Sequence, residues 1–111
     1  MTESDLFHLL SPVLPSQVFP YVAPQEEPAI TPPWLIFSFY DIDEDVLSGQ
    51  ASTMTQIQID VYAKTPDMAR DIRAKALLAI QVLAPVNIVR KQDYEPDTSL
   101  YRATIECQVW Q

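Results

Sequence analysis

A chain of 111 residues has room for one hydrophobic core and not for two, so a single domain spanning residues 1–111 is expected. Its 15 acids against 7 bases give a net charge of −8, a surface that repels the phosphates a nucleic-acid binder has to neutralise. The lone Cys107 excludes an internal disulfide and fits a reducing cytosol, and no apolar run nears the roughly 20 residues of a membrane helix, so a soluble chain is expected.

The first element reads as a short helix. Thr2 is placed to cap it with Asp5 at the third helical position, a capping box with Asp in place of Glu, and Leu6, Leu9 and Leu10 form its apolar stripe until Pro12 stops the pattern. His8 lies beside that stripe with no second metal ligand set by spacing, which makes it a structural residue rather than a ligand. Residues 11–33 carry seven of the ten prolines together with Val18, Phe19, Tyr21 and Val22. Extended backbone pinned by aromatic side chains is expected there, with a short edge strand near Gln17–Val22, where proline is tolerated. A proline-rich recognition ligand is the weaker reading, since no basic residue accompanies the prolines.

Trp34–Ile42 is dense in aromatic and β-branched residues and predicts a central strand. Both of its alternating sets are apolar, so its register against the next strand stays open. Asp43–Ser52 surrounds Gly49, the only glycine, and predicts a mobile hairpin loop longer than a tight turn. From Thr55 the period is two: Ile57, Ile59 and Val61 on one side, Gln56, Gln58 and Asp60 on the other. At Thr65-Pro66 it changes. Thr65 suits the N-cap, Pro66 the first helical position, and Asp67 the positive end of the helix dipole. Met68, Ala69, Ile72, Ala76, Ala79, Ile80 and Leu83 then recur at helical spacing, predicting one long helix that Pro85 ends.

Val86–Gln92 and Ser99–Trp110 predict a second strand pair around a turn at Asp93–Thr98. In the last strand Tyr101, Ala103, Ile105, Cys107 and Val109 share one side, which makes Cys107 a small hydrophobe; the only base that could activate it is His8. The expected fold is α+β: a mostly antiparallel sheet of two hairpins, with an N-terminal helix and one long central helix packed on it.

Little of this chain suggests chemistry. A single glycine excludes a Walker loop, a dinucleotide-binding fingerprint and a nucleophile elbow. Asp41, Asp43, Glu44 and Asp45 offer oxygen ligands, but counted from Asp41 the sixth place of a calcium loop is Val46, where glycine is required, and the twelfth is Ser52, where glutamate is required. A solvated or protein-contacting acidic loop is the better reading, and Asp60 is read as facing solvent or an arginine of another subunit. No enzyme activity, metal or cofactor is expected. Ala74, Leu77, Leu78 and Val82 fall outside the helix's inward sector, beside Arg70, Asp71 and Gln81. Either the groove under the helix is wide enough to take them or a second subunit covers them.

IQIDVYAKTPDMARDI at residues 57–72, the aromatic strand opening PPWLIFSF, the closing SLYRATIECQVW and the early VFPYVAPQ together resemble the small tail-completion proteins of tailed bacteriophages and prophages, of the kind typified by the tail terminator of phage lambda. The resemblance runs in order over almost the whole chain; the proline load before Trp34 and the single glycine depart from it. It implies an α+β subunit without an active site that forms a hexameric ring on the last ring of the tail tube. Such a ring ends tube growth and presents a surface to the head. The implied partners are further copies of the chain, the major tail tube protein and the head-closure connector, with DNA passing through unbound and no membrane involved. The implied location is the head-proximal end of the virion tail, after assembly in the host cytoplasm. A neck adaptor of the head and, outside phages, a small-molecule-binding α+β dimer are the alternatives. On this reading Arg70, Arg73, Ala74, Leu77, Leu78 and Val82 form the subunit interface. Asp43, Glu44, Asp45, Val46, Leu47 and Gly49 form a loop against tube or neck, and Asp93, Glu95 and Asp97 line an acidic lumen. A limited interface of this kind predicts subunits that stay monomeric alone and close only on the tube end.

Overall fold

The computed structural model describes residues 1–26, 29–45 and 51–111. The chain runs α1 (Glu3–Leu10), β1 (Val18–Pro20), β2 (Trp34–Asp45), β3 (Ala51–Ala63), α2 (Pro66–Ala79), a single 3-10 turn (Gln81–Leu83), β4 (Val86–Glu95) and β5 (Leu100–Trp110). The capping box forms: Thr2 Oγ1 accepts from the Asp5 amide at 3.2 Å and Asp5 Oδ2 from the Thr2 amide at 2.8 Å.

The five strands are ordered β1-β2-β3-β5-β4. The register of β2 is settled by pairing: Leu35 lies opposite Val61 and Phe37 opposite Ile59, and β5 extends these rows with Ala103 and Ile105. Leu35, Phe37, Ile57, Ile59, Val61, Ile105 and Cys107 meet Ile72 and Ala76 of α2, Ile80 at its C-terminal cap, and Leu6 and Leu10 of α1 in one core on one face of the sheet. Each such side chain removed from water contributes about 1.5–3 kcal/mol. Ala63, Ala69 and Ala103 form a second buried cluster, where small residues let α2 start close against the sheet. The other face is polar: Gln58, Asp60, Thr104 and Lys91 alternate with the core rows.

The loop expected over Asp43–Ser52 is shorter at both ends, since Asp43–Asp45 belong to β2 and Ala51–Ser52 to β3, paired across the ladder. Three further expectations are corrected. The sheet is mixed rather than two hairpins alone, because β1 runs parallel to β2, Val18 opposite Leu35. A parallel pair needs a long return connection, and the proline-rich residues 21–33 supply it. Gln17 Nε2 ties that segment down by donating to the carbonyls of Thr31 at 2.6 Å and Pro33 at 3.0 Å.

Secondly, there is no one long central helix: α2 is a short helix of 14 residues that stops at Ala79 rather than Leu83. Pro85 has no amide to continue the ladder and its ring would crowd the Gln81 carbonyl. The chain therefore tightens after Ile80, and Ala84, left-handed at φ 53°, donates to the Gln81 carbonyl instead. Thirdly, Asp93 and Glu95 lie in β4, not in the turn, which is confined to residues 96–99. The Glu95 carboxylate holds it by accepting from the amides of Asp97 (3.2 Å) and Thr98 (3.0 Å).

The ladder of β2 and β3 continues past the end of β5. Met54 pairs with Trp110, whereas Asp43–Thr53, Glu44–Ser52 and Asp45–Ala51 pair beyond it as a two-stranded arm. The molecule is correspondingly elongated, 52 × 26 × 24 Å.

Candidate assembly surfaces

Helix α2 is anchored at its start: Thr65 Oγ1 accepts from the Met68 amide at 3.1 Å and Pro66 holds the first helical position. That cap fixes which flank faces β4. The flank divides the expected interface residues. Arg73 is only 9% exposed, and its Nη1 donates to the Lys91 carbonyl at 3.0 Å. Burial, then the charges of Arg90 and Arg70, hold its pKa below the usual arginine range. Leu77 is half-buried and packs on the core. Ala74 is exposed, and Leu78 is 71% and Val82 76% exposed. The wider groove therefore takes Leu77 and the stem of Arg73, and leaves Leu78 and Val82 in solvent.

Arg70, Arg73, Ala74, Leu77, Leu78, Gln81 and Arg90 line a groove of about 280 Å³ between α2 and β4. Arg90 comes from β4, and sequence reasoning missed it because only strand pairing brings it beside α2. Val82 does not join them. It borders a separate hollow at the other end of α2 with Leu9, Leu83, Val109 and Trp110.

Of the expected contact loop, Val46, Leu47 and Gly49 lie outside the described residues, and Glu44 and Asp45 are described only as strand backbone. Asp43 is exposed on the arm, and Asp41 is exposed two residues before it on β2, where β5 still pairs with β3. Asp41 Oδ1 accepts from Thr55 Oγ1 at 2.7 Å, and Asp43 Oδ1 from Thr53 Oγ1 at 2.9 Å. Among the described residues no three His, Cys, Asp or Glu side chains are grouped to hold a metal ion.

The three acids assigned to a lumen have different surroundings. Asp93 is paired with Arg102, whose Nε donates to Asp93 Oδ1 at 2.8 Å; that bond lowers the Asp93 pKa and raises that of Arg102. Glu95 serves the turn, and Asp97 is exposed beside it. The pair continues a row across four strands: Arg102 lies over the Tyr62 ring at 6.0 Å, and Tyr62 stacks on Trp34 at 5.6 Å. Asp60, on the same open face, accepts from Thr104 Oγ1 at 2.6 Å and Gln58 Nε2 at 3.0 Å. Lys91 pairs with Glu106 at 2.9 Å. These groups satisfy one another in a fixed lattice.

Cys107 and His8 do not make a nucleophile and base. Cys107 is fully buried, and desolvation pushes its thiol up to about 11, while His8 is exposed on α1. What the fold offers is surfaces: an apolar, arginine-rimmed flank, a projecting acidic arm and a polar sheet face.

The family model described as tail completion protein gp17 matches residues 8–111. The chain belongs to that family. No curated protein matches it. Among solved structures, a chain of the virion of a native gene transfer agent (GTA) particle is similar with a TM-score of 0.58. It is 12% identical, and the match covers 96% of this chain and 92% of that one. At that identity the likeness shows a shared fold, and it extends over nearly all of this tail completion family member.

Proposed function

We propose that the chain is a structural virion protein that closes the head-proximal end of a phage or prophage tail. Six copies form a ring on the last ring of tail tube protein, end its growth and present a surface to the head-closure connector. DNA passes through the ring without being bound. The observation that carries the reading is membership of the tail completion family over residues 8–111. The α2 flank supports the ring, since Leu78 is apolar, exposed and flanked by arginine, as an interface requires, and Val82 adds a second exposed apolar side chain just beyond the helix. The arm of β2 and β3 projects beyond β5 and supports a contact with a neighbouring subunit or ring. No catalytic role is assigned: tail completion is an act of assembly, and the buried thiol has no base beside it.

Disrupting the gene in its phage and imaging the lysate tests the assignment. Tails of abnormal length without heads are expected. Tails of normal length that fail to join heads would overturn the terminator role in favour of a neck adaptor. Infectious particles in normal yield would overturn the virion role altogether.

A further inference from the structure

The groove between α2 and β4 has an apolar floor, with Ala74 and Leu78 exposed beside the half-buried Leu77, and a cationic rim. Arg70 is paired with Asp67, but among the described residues neither Arg73 nor Arg90 has a carboxylate partner. Burial first, and then the like charges of Arg90 and Arg70, hold the Arg73 pKa down, and an anion entering the groove offsets those like charges.

The complementary surface lies at the other end of the same chain. Asp41 and Asp43 are two residues apart in β2 and so share one face of that strand. Each has one oxygen held by a threonine across the ribbon, which fixes the carboxylate and leaves acceptor capacity facing outward. Upstream of Lys64 the chain carries no lysine or arginine that could compete for these acids locally.

One copy cannot join its own two surfaces. Arg90 belongs to the row Phe37–Ile59–Ile105, three strand intervals from β2, or about 14 Å. Asp43 lies six residues farther along β2 than Phe37, about 20 Å away along the strand. Resting on the reading of the chain as a ring subunit, we propose that the groove between α2 and β4 receives the Asp41–Asp43 segment of β2 from a second copy of this chain. Asp43 then pairs with the exposed Arg90 at the rim, and Asp41 lies toward the more buried Arg73. The two surfaces differ, so the contact is head-to-tail and each copy keeps one free groove and one free arm until the ring closes.

The test uses the full chain in the particles it completes. Arg90→Cys and Asp43→Cys combined in one chain should give, after mild oxidation of purified particles, a ladder of disulfide-linked species on a non-reducing gel, and neither single variant should. Arg90→Glu and Asp43→Arg, each at an exposed position, should each lower particle yield on the order of tenfold, and the double swap should restore it. Melting curves of all variants establish that they fold. Particles that contain several copies of the chain by quantitative mass spectrometry, yet give neither ladder nor rescue, would overturn this contact and leave the ring reading standing. Particles that contain no copies would overturn the ring reading, and this contact with it.

Discussion

Arg73 and Cys107 are buried on opposite terms. Arg73 sends its stem across the groove and leaves its guanidinium on the Lys91 carbonyl, so a charge held in poor solvent at least keeps a hydrogen bond. Cys107 lies in the buried apolar core, and there the neutral thiol is the stable form. Its pKa of about 11 in the native state exceeds the ordinary 9.0, so between those values the unfolded chain loses a proton that the folded chain retains. Stability therefore holds below pH 9 and falls as pH rises from 9 toward 11, on the order of 2 kcal/mol for this group. Urea midpoints at pH 8 and pH 10.5 should drop more for the wild-type chain than for Cys107→Ala. An equal drop in both would show that the thiol is not held neutral by the fold. The native thiol should also resist a thiol reagent at pH 8 until denaturant is added.

At the scale of elements, α2 carries two neighbouring leucines with different duties. Leu77 packs on the core and Leu78 stands 71% exposed. Leu78→Asp should leave thermal stability within about 0.5 kcal/mol of wild type while abolishing completed tails. Leu77→Asp should cost on the order of 3 kcal/mol or more, because it places a carboxylate against the core. Particles in normal yield from folded Leu78→Asp would place the subunit interface elsewhere.

This helix was legible in the sequence wherever its determinants are local. Thr65, Pro66 and the spacing from Ala69 to Ile80 act over a turn or two, and the alternation at Ile57, Ile59 and Val61 acts within one strand. Its C-terminal end was not legible, because whether Gln81–Leu83 stays helical depends on how the chain must turn to reach β4. The parallel β1 was hidden for a similar reason: Val18–Pro20 reads as an edge strand, but its direction depends on where residues 21–33 lead. Trp34–Phe39 is apolar on both sides, so only the partner strand decides that Leu35 and Phe37 point inward. Arg90 entered the groove through pairing with Ile105, which no short spacing reveals.

The whole molecule is an elongated acidic body whose lysines and arginines all follow residue 63. Several of them are spent internally, Lys91 on Glu106 and Arg102 on Asp93, and Arg73 is buried. No continuous basic track remains to follow a phosphate backbone. Duplex DNA titrated with the purified chain at 50 mM salt should show no retardation at micromolar protein. Binding there that weakens steeply with added salt would contradict the low-adhesion channel and point to a basic surface formed only between copies.

The free edge of β4 has a consequence in time. Ten residues of strand border open solvent, and such an edge ordinarily invites other strands to add to it without limit. Here the ladder breaks between Val86 and Val89, Arg90, Lys91, Asp93 and Glu95 crowd the edge with charge, and the Lys91 carbonyl is already taken by Arg73. A stray strand would have to displace that guanidinium and approach against both signs of charge. The same arginine that rims the groove thus guards against fibrous aggregation, which gives separate copies a long shelf life before a growing structure calls on them.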